Sequence, residues 1–556
     1  NLSFRAELGA TARETKGFVE SPWGVWIVLV PAAGGLFIGL LRIVFPQTVR
    51  AGISEIMAAV QARGGIIRAR TAWGHAAISA VTVGTGGSTG REGPIAYIGA
   101  ALGSSLSRRA GFRPRDIKVL LGCGTSAGIA ATFNAPLGGV LLALELILPE
   151  FSTHAFIPLV VATVVGVTVG QFFLDDQATF LLPDDLVLFQ SPWELAIYLA
   201  LGILCGLGGV LFIRLLGRNQ QLWDAWRVPE WMKPVAGGLL VGAMGYGVFW
   251  ATGRFEALGG TPNYHLFGTG YPTVNAILNG ETFVLAAGLL ILLILVKPFA
   301  TAFTVASGGG GGVFGASLFL GSIYGAAVGL AANALFPSVT APASAYALVG
   351  MGAFYAATGR ATLATIVLIS ELTNTYTILL PLMFACVSAD AVSVALSRDS
   401  IYTDKLTKTG ILFDHDRIAS PLDFLQVKDV MSREVHTLPA DLSAGEAFNR
   451  MIDIGHTGFP VVDGEGALVG IVTRRDLSRI LSEGKGGEPL RAVLPGTVVT
   501  CLADEMLHRA RDRLFEKRIG RLPVVDAQDR RRVVGILTRS DLLRAEAERD
   551  VEHEDT

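Results

Sequence analysis

Charge is scarce in this chain, and so is cysteine. Of 556 residues only 17% are Asp, Glu, Lys or Arg, against 51% hydrophobic. A soluble globular chain carries about 25% charge, so an ordinary water-soluble enzyme is disfavoured at once. A net charge of -2 supplies no basic field, and no nucleic-acid partner is expected. The four cysteines, Cys123, Cys205, Cys386 and Cys501, stand far apart with no C-x-x-C pair. Neither a zinc site nor a disulfide framework is expected of them, and core thiols are the better reading. Eight histidines are scattered without an H-E-x-x-H, so no catalytic metal and no enzymatic activity are expected. The chain starts at Asn1, and no cleavable signal peptide is visible, because the first apolar run is followed by many more.

The charge that exists is unevenly spread. Residues 421–556 hold 24 Asp and Glu and 20 Lys and Arg, and the other 48 charges are diluted through the first 420 residues. One chain thus joins a membrane-like body to a soluble-like tail.

Crossing a bilayer takes about 20 apolar residues. Ala155–Leu174, Leu195–Ile213, Pro234–Gly253, Leu372–Ala389 and Val119–Leu144 carry no charge. Pro298–Gly359 contains no Asp, Glu, Lys, Arg or His. It is too long for one helix and is cut by Gly, Pro and Ser, which predicts several short helices, some entering without spanning. Backbone breaks at membrane depth survive only where protein buries them or where they line a polar path. Two separate Gly-rich stretches, GGSTGREGP (86–94) and GGGGGVFGA (308–316), favour a path over mere close packing by small residues.

The body also repeats. Gly124–Glu145 matches Gly350–Glu371 at a constant offset of 226, with Gly124/Gly350, Ala127/Ala353, Ala135/Ala361, Leu137/Leu363 and Glu145/Glu371 identical. The Gly-rich stretches match at an offset of 222. Two halves, each a Gly-rich break followed by the same helix, are the pattern of a repeat-built transporter with its site where the breaks meet. Such breaks expose helix N-termini, whose free N–H groups and positive dipole ends attract anions. A cation site needs carboxylates or carbonyls, and the break 307–316 has no acid. An anion is the better expectation.

Arg91 and Glu92 lie inside the first break. Ionisable residues at this depth are functional candidates, with a mutually satisfied Arg91–Glu92 pair as the bland alternative. A carboxylate at an anion-binding helix end occupies the site as a tethered competing anion, and protonation releases it. Glu92 is therefore read as a gate and proton acceptor.

GREGP at Gly90–Pro94, FNAPLGGVLLALE at Phe133–Glu145, GGVF at Gly311–Phe314 and a tyrosine after the last membrane segment, Tyr402, together resemble the CLC family of chloride channels and chloride/proton antiporters. The resemblance spans residues from about 25 to 410. It implies a polytopic α-helical membrane protein built from two inverted repeats with broken or re-entrant helices. It also implies a homodimer with a separate anion pore in each subunit. Glu92 matches the family's gating glutamate. Val313 and Phe314 match the pair whose backbone N–H groups face the central anion, and Tyr402 matches the tyrosine whose hydroxyl donates to it. An interfacial aromatic is the alternative for Tyr402.

Two positions depart from the family. Its early G-S-G-I-P-E motif is represented by Arg50-Ala51-Gly52-Ile53-Ser54-Glu55. Ala51 removes one side-chain donor to the anion, while Gly52 and Ile53 still offer backbone N–H groups. Family antiporters usually carry a second glutamate directly after Glu145. Here that position is Leu146, which takes no proton. Glu145 matches Glu371 in the repeat, so both read as structural, and the sequence leans toward passive or weakly coupled flow with chloride/proton antiport as the alternative.

In the tail GFPVVDGEGALVGIVTRRDL (458–477) matches RLPVVDAQDRRRVVGILTRSDL (521–542). Each unit reads as strand, turn, strand and a helix opening at T-R-x-D, and the pair resembles tandem CBS domains, a soluble α/β module. Thr473 with Asp476 and Thr538 with Asp541 fit helix caps. In CBS pairs the same residues bind an adenosine nucleotide, which here would regulate and not fuel transport, because no phosphate-binding G-x-x-x-x-G-K-[ST] loop exists. The expected organisation is an N-terminal segment (1–24), an anion-transport domain (25–410), a linker (411–426), CBS domains at 427–482 and 490–546, and an acidic tail (547–556). The expected partners are chloride or a similar small anion, protons at Glu92, the lipid bilayer and a second copy of the chain. The expected place is a plasma or bacterial inner membrane, with the CBS pair in the cytoplasm. A CBS-bearing divalent-cation transporter predicts acids within the spans, and Pro298–Gly359 has none. A membrane-anchored nucleotide sensor leaves the broken, repeated helices without a purpose.

Overall fold

The computed structural model describes residues 24–45, 52–148, 153–174, 180, 182, 189–253, 265–280, 287–374, 376–408, 425–494, 498–517, 519–526, 529 and 531–545. The chain divides between Phe413 and Asp414 into two units.

The first unit is helical. A 3-10 turn (Gly24–Val28) leads into α1 (Leu29–Val44), α2 (Ile53–Ala62), α3 (Ala69–Gly84), α4 (Glu92–Arg109), α5 (Pro114–Phe133), α6 (Pro136–Leu146), α7 (Thr153–Leu174) and α8 (Glu194–Ala225). There follow α9 (Lys233–Gly253), α10 (Tyr271–Leu278), α11 (Ala287–Ala306), α12 (Phe314–Leu335), α13 (Ala343–Gly359), α14 (Thr362–Leu372), α15 (Leu379–Leu396) and α16 (Thr403–Lys408). Among the described residues seven helical stretches are long and apolar enough to cross a membrane. The surfaces of α7 and α8 carry exposed Val161, Val165, Phe172, Leu207 and Leu211, as a lipid-facing wall requires.

Several charge-free runs divide differently from the expectation. Val119–Leu144 is cut at Asn134, whose φ of 53° ends α5. The run 372–389 is cut because α14 ends at Leu372 and α15 starts at Leu379. Pro298 lies inside α11 instead of breaking it, and the 22-residue α12 is long enough to span. The run Leu195–Ile213 continues as helix through Arg214 and Arg218 to Ala225.

The repeat is visible in packing. α4 lies along α5 as α12 lies along α13, and α6 meets α14. The crossings are set by glycine. A Cβ on Gly99 would stand 2.0 Å from the Gly124 carbonyl oxygen, and one on Gly321 would stand 2.2 Å from that of Gly350. These four positions are equivalent under the two offsets. Any side chain would push the helices apart, because interiors have no slack of that size. Asn134 and Arg360, also equivalent, both end their helices in the left-handed region.

Glu145 and Glu371 close the repeat reciprocally. Leu363 and Ala364 at the start of α14 donate backbone N–H groups to Glu145, at 3.3 and 2.7 Å. Leu137 and Gly138 at the start of α6 donate to Glu371, at 3.0 and 2.6 Å. Each carboxylate thus fills the unsatisfied first turn of the opposite helix and complements its positive end.

In the second unit β1 (Leu438–Pro439), α18 (Ala444–Ile454), β2 (Gly458–Val462), β3 (Leu468–Thr473), α19 (Arg474–Ser482) and α20 (Leu490–Val493) form one half, while α17 (Val427–Val430), although it precedes them in the chain, packs into the core of the other. β4 (Cys501–Leu502), α21 (Leu507–Glu516), β5 (Arg521–Val525), β6 (Val533–Thr538) and a helix over 539–545 form the other. The sheets have the order β1-β2-β3 and β4-β5-β6, parallel then antiparallel. The two-residue strands β1 and β4 were not legible in sequence. The halves dock on each other through Leu468 N–H to Arg531 O at 2.8 Å and Arg521 to Gly458 O at 2.9 Å. All four cysteines are buried and free, and burial pushes the Cys501 thiol up to about 12.

Glu145→Ala and Glu371→Ala should each lower the melting temperature in detergent, by a loss of about 1.5–3 kcal/mol per charge-assisted cap. Their double variant should cost less than the sum, because both caps serve the same α6–α14 pair. Unchanged melting in both single variants would show that the caps carry no stability.

Candidate functional site

The two Gly-rich breaks meet. Gly90 and Gly312 exchange backbone hydrogen bonds, each 2.8 Å, as an isolated antiparallel bridge. Hydroxyls from two other helices fix the breaks. Gly310 N–H donates to Thr82 of α3 at 2.9 Å, and Ser88 N–H donates to Thr304 of α11 at 3.1 Å. The Ser88 and Thr301 hydroxyls stand 3.1 Å apart, and Thr89 donates to Gly310 O at 3.2 Å. The Ser88 N–H and both backbone groups of Gly310, which have left the helix ladder, are thus paired with side-chain hydroxyls.

α4 and α12 both begin at this junction, so their positive ends converge. Glu92 is the first residue of α4 and is 3% exposed. Its Oε1 accepts a hydrogen bond from the Tyr271 hydroxyl at 2.5 Å. Its Oε2 faces the backbone N–H of Gly315, the second residue of α12, without a hydrogen bond of good geometry. Arg91 is exposed and the Glu92 carboxylate is turned to Tyr271, so the internal Arg91–Glu92 pair weighed from sequence is not what satisfies Glu92.

The other sequence candidates are distributed around this point. Val313 is the N-cap of α12. Phe314 is buried, with its ring 4.4 Å from that of Tyr355 and 5.2 Å from that of Phe133. Tyr402 is 4% exposed, so it is no interfacial aromatic, and its hydroxyl lies 3.2 Å from that of Tyr355. An aromatic ladder therefore runs from Tyr402 through Tyr355 to Phe314. Gly52 caps α2 and Ile53 opens it; α2 packs on α4 and on α16. Ala51 lies outside the described residues. Leu146 is buried next to the capping Glu145.

Tyr271 escaped the sequence reading. It lies 179 positions from Glu92, and an aromatic after Gly268 and Gly270 was the sole local signal. The hydroxyls of Thr82, Thr301 and Thr304 had none.

In the second unit both T-x-x-D pairs are capping boxes. Thr473 N–H donates to Asp476 Oδ2 at 3.0 Å and Asp476 N–H donates back at 3.3 Å. The Thr538–Asp541 pair repeats this at 2.8 and 3.2 Å. They differ in access, because Asp541 is buried beside Ser432 while Asp476 is partly exposed.

The family model described as voltage gated chloride channel matches residues 20–394, and the CBS domain model matches 427–483 and 496–548. The putative chloride channel protein ClcB-like of Ralstonia nicotianae is 33% identical over 393 residues, covering 70% of this chain and 86% of that protein. The H(+)/Cl(-) exchange transporter ClcA of Yersinia pestis bv. Antiqua is 30% identical over 332 residues, covering 59% of this chain and 66% of that protein. The X-ray crystal structure of a slow cyanobacterial Cl-/H+ antiporter is similar at a TM-score of 0.60 and 27% identity, over 73% of this chain and 91% of that one. The repeat, the paired breaks and these matches lead to one conclusion: the chain is an integral membrane protein of the CLC voltage-gated chloride channel family, with a C-terminal pair of CBS domains.

Proposed function

We propose that this protein moves chloride or a similar small anion across the bilayer, with Glu92 as the gate. The observation that carries the proposal is the seat of the Glu92 carboxylate. It lies where the N-termini of α4 and α12 converge, buried and held by Tyr271. A carboxylate held there takes the place an anion would take. When Glu92 is protonated it no longer competes for that positive end, and the anion enters. Val313, Phe314, Gly52 and Ile53 would present backbone N–H groups to the anion, and Tyr402 would present its hydroxyl from the end of the aromatic ladder.

Uncoupled, channel-like conduction is favoured by Leu146, a buried residue without a titratable group at the place where a second proton carrier is expected. Proton-coupled exchange is the second reading, favoured by the relatives named as exchangers. The CBS pair would face the cytoplasm and regulate flux through an adenine nucleotide. Thr473 with Asp476, and Thr538 with Asp541, are the residues proposed to hold it. The partial exposure of Asp476 favours the first of the two sites.

Glu92→Gln imitates the protonated gate. It should raise chloride efflux from liposomes and flatten the pH dependence; wild-type flux with a wild-type pH profile would falsify the gate. Proton movement under a chloride gradient, at zero proton gradient, separates the two readings. Chloride-driven uphill proton uptake means exchange by a route that avoids Leu146, and chloride flux without proton movement means uncoupled conduction. For the tail, ATP titrated calorimetrically onto the full chain should bind saturably, and Asp476→Ala should weaken binding at least about tenfold. A flat titration with the wild type would leave the capping role alone.

A further inference from the structure

The gate reading leaves one buried charge, Lys297, without a task. Lys297 sits within α11 and is 0% exposed. Its Nζ donates to the carbonyl oxygens of Leu266 at 2.9 Å and Gly268 at 3.2 Å, and it lies 4.7 Å from the centre of the Phe319 ring on α12. An ammonium group at this depth is costly unless it is fully engaged. Here it is spent on a strap of irregular chain, residues 265–270, that leads into α10. The strap is held at other points as well. His265 Nδ1 lies 3.0 Å from the Thr273 hydroxyl, and Gly270, with φ of 82°, passes so close to Phe319 that a Cβ would stand 2.3 Å from its ring.

The strap ends in Tyr271. Its ring packs edge-on against Phe180, with centroids 5.3 Å apart, and it is 8% exposed. Its one polar atom donates to Glu92 at 2.5 Å. A phenol that donates to a carboxylate stabilises the ionised form over the acid, and the bond is stronger than a neutral one. Among the described residues the other groups in electrostatic reach of Glu92 are Arg91, Tyr355 and Tyr402, and none of them is hydrogen-bonded to its carboxylate. The break 307–316 and the first turn of α12 carry no ionisable side chain, Arg91 on the same helix is exposed, and the phenols of Tyr355 and Tyr402 pair with each other beyond Phe314.

The geometry points to Tyr271 as a latch. Its hydroxyl holds Glu92 over the N-terminus of α12, and Lys297 positions that hydroxyl by fixing the strap that carries it. This rests on the reading of Glu92 as the gate. An incoming anion must displace a carboxylate that is both attracted by two helix ends and hydrogen-bonded by the phenol. Removing the phenol therefore weakens the closed state and lets the gate open at higher pH. Tyr271 is a positioning residue here, since it acts through Glu92, and Lys297 acts one step further back.

The test is chloride efflux from liposomes as a function of pH for the wild type, Tyr271→Phe, Glu92→Gln and the double variant. Tyr271→Phe keeps the ring and removes one oxygen, so the packing against Phe180 is retained. Flux at neutral pH should rise about tenfold, and the pH of half-maximal flux should move up by about one unit. In the Glu92→Gln background the same substitution should change nothing further. Lys297→Met should shift the pH profile in the same direction, and Lys297→Arg should restore it. A wild-type profile for Tyr271→Phe, beside a raised and flattened one for Glu92→Gln, overturns the latch and leaves the gate standing. Equal gains from Tyr271→Phe with and without Glu92 show that the phenol acts elsewhere, which also overturns it. A Glu92→Gln variant that behaves as wild type removes the gate, and the latch with it.

Discussion

Lipid offers no hydrogen bonds, so every helix that stops at membrane depth must find partners for the backbone groups at its end. The first unit has several such ends, and its architecture follows from how they are answered. Glu145 and Glu371 each satisfy the opening turn of the other's helix, across the α6–α14 contact. Glu194, at the start of α8, accepts from Gln190 N–H on the chain leading into its helix and from Ala341 N–H on the approach to α13. At the Gly-rich breaks no acid is available on the second break, so Gly90 and Gly312 bond each other and threonine hydroxyls hold Gly310 and Ser88. The two chain halves thus supply each other's missing backbone partners.

The same constraint shapes the candidate site. α4 and α12 start at the bridge between the breaks, which brings two sets of free N–H groups to one place. Glycine allows the backbones to approach that closely, and its lack of a side chain leaves the space to Glu92. The price of such a junction is a cluster of orphan donors in an apolar interior. A single carboxylate at the junction answers part of that cost, and so would a small anion. That equivalence is what makes competition between the two a physical expectation rather than an analogy.

Much of this was legible in the amino-acid sequence because glycine, charge and repetition are local marks. The offsets of 226 and 222 lead directly to the α5–α6 and α13–α14 units and to the facing breaks. The T-R-x-D pairs lead to the helices that follow β3 and β6. What stayed hidden depends on contacts between distant segments. Tyr271 reaches Glu92 from 179 residues away, and the hydroxyls of Thr82 and Thr304 look like ordinary helix residues. The break at Asn134 was hidden for another reason. Asn tolerates the left-handed conformation but does not require it, and its repeat partner Arg360 has no such preference at all, so tertiary packing decides both. Likewise nothing in the run from Leu195 to Ile213 tells that the helix continues through Arg214 to Ala225.

That continuation has a mechanical meaning. Beyond Ile213, α8 extends for 12 further residues, about 18 Å of helix at the usual rise. Its flank braces the chain that carries Tyr402. Arg214 donates to Leu396 O at 2.8 Å, and Gly217 lies so near Asp404 and Lys408 that a Cβ would touch both at 3.0 Å. The six residues of α16 that follow Tyr402 form a helix about 9 Å long. The wall of α8 thus sets the direction in which α16, and the Tyr402 that precedes it, can lie.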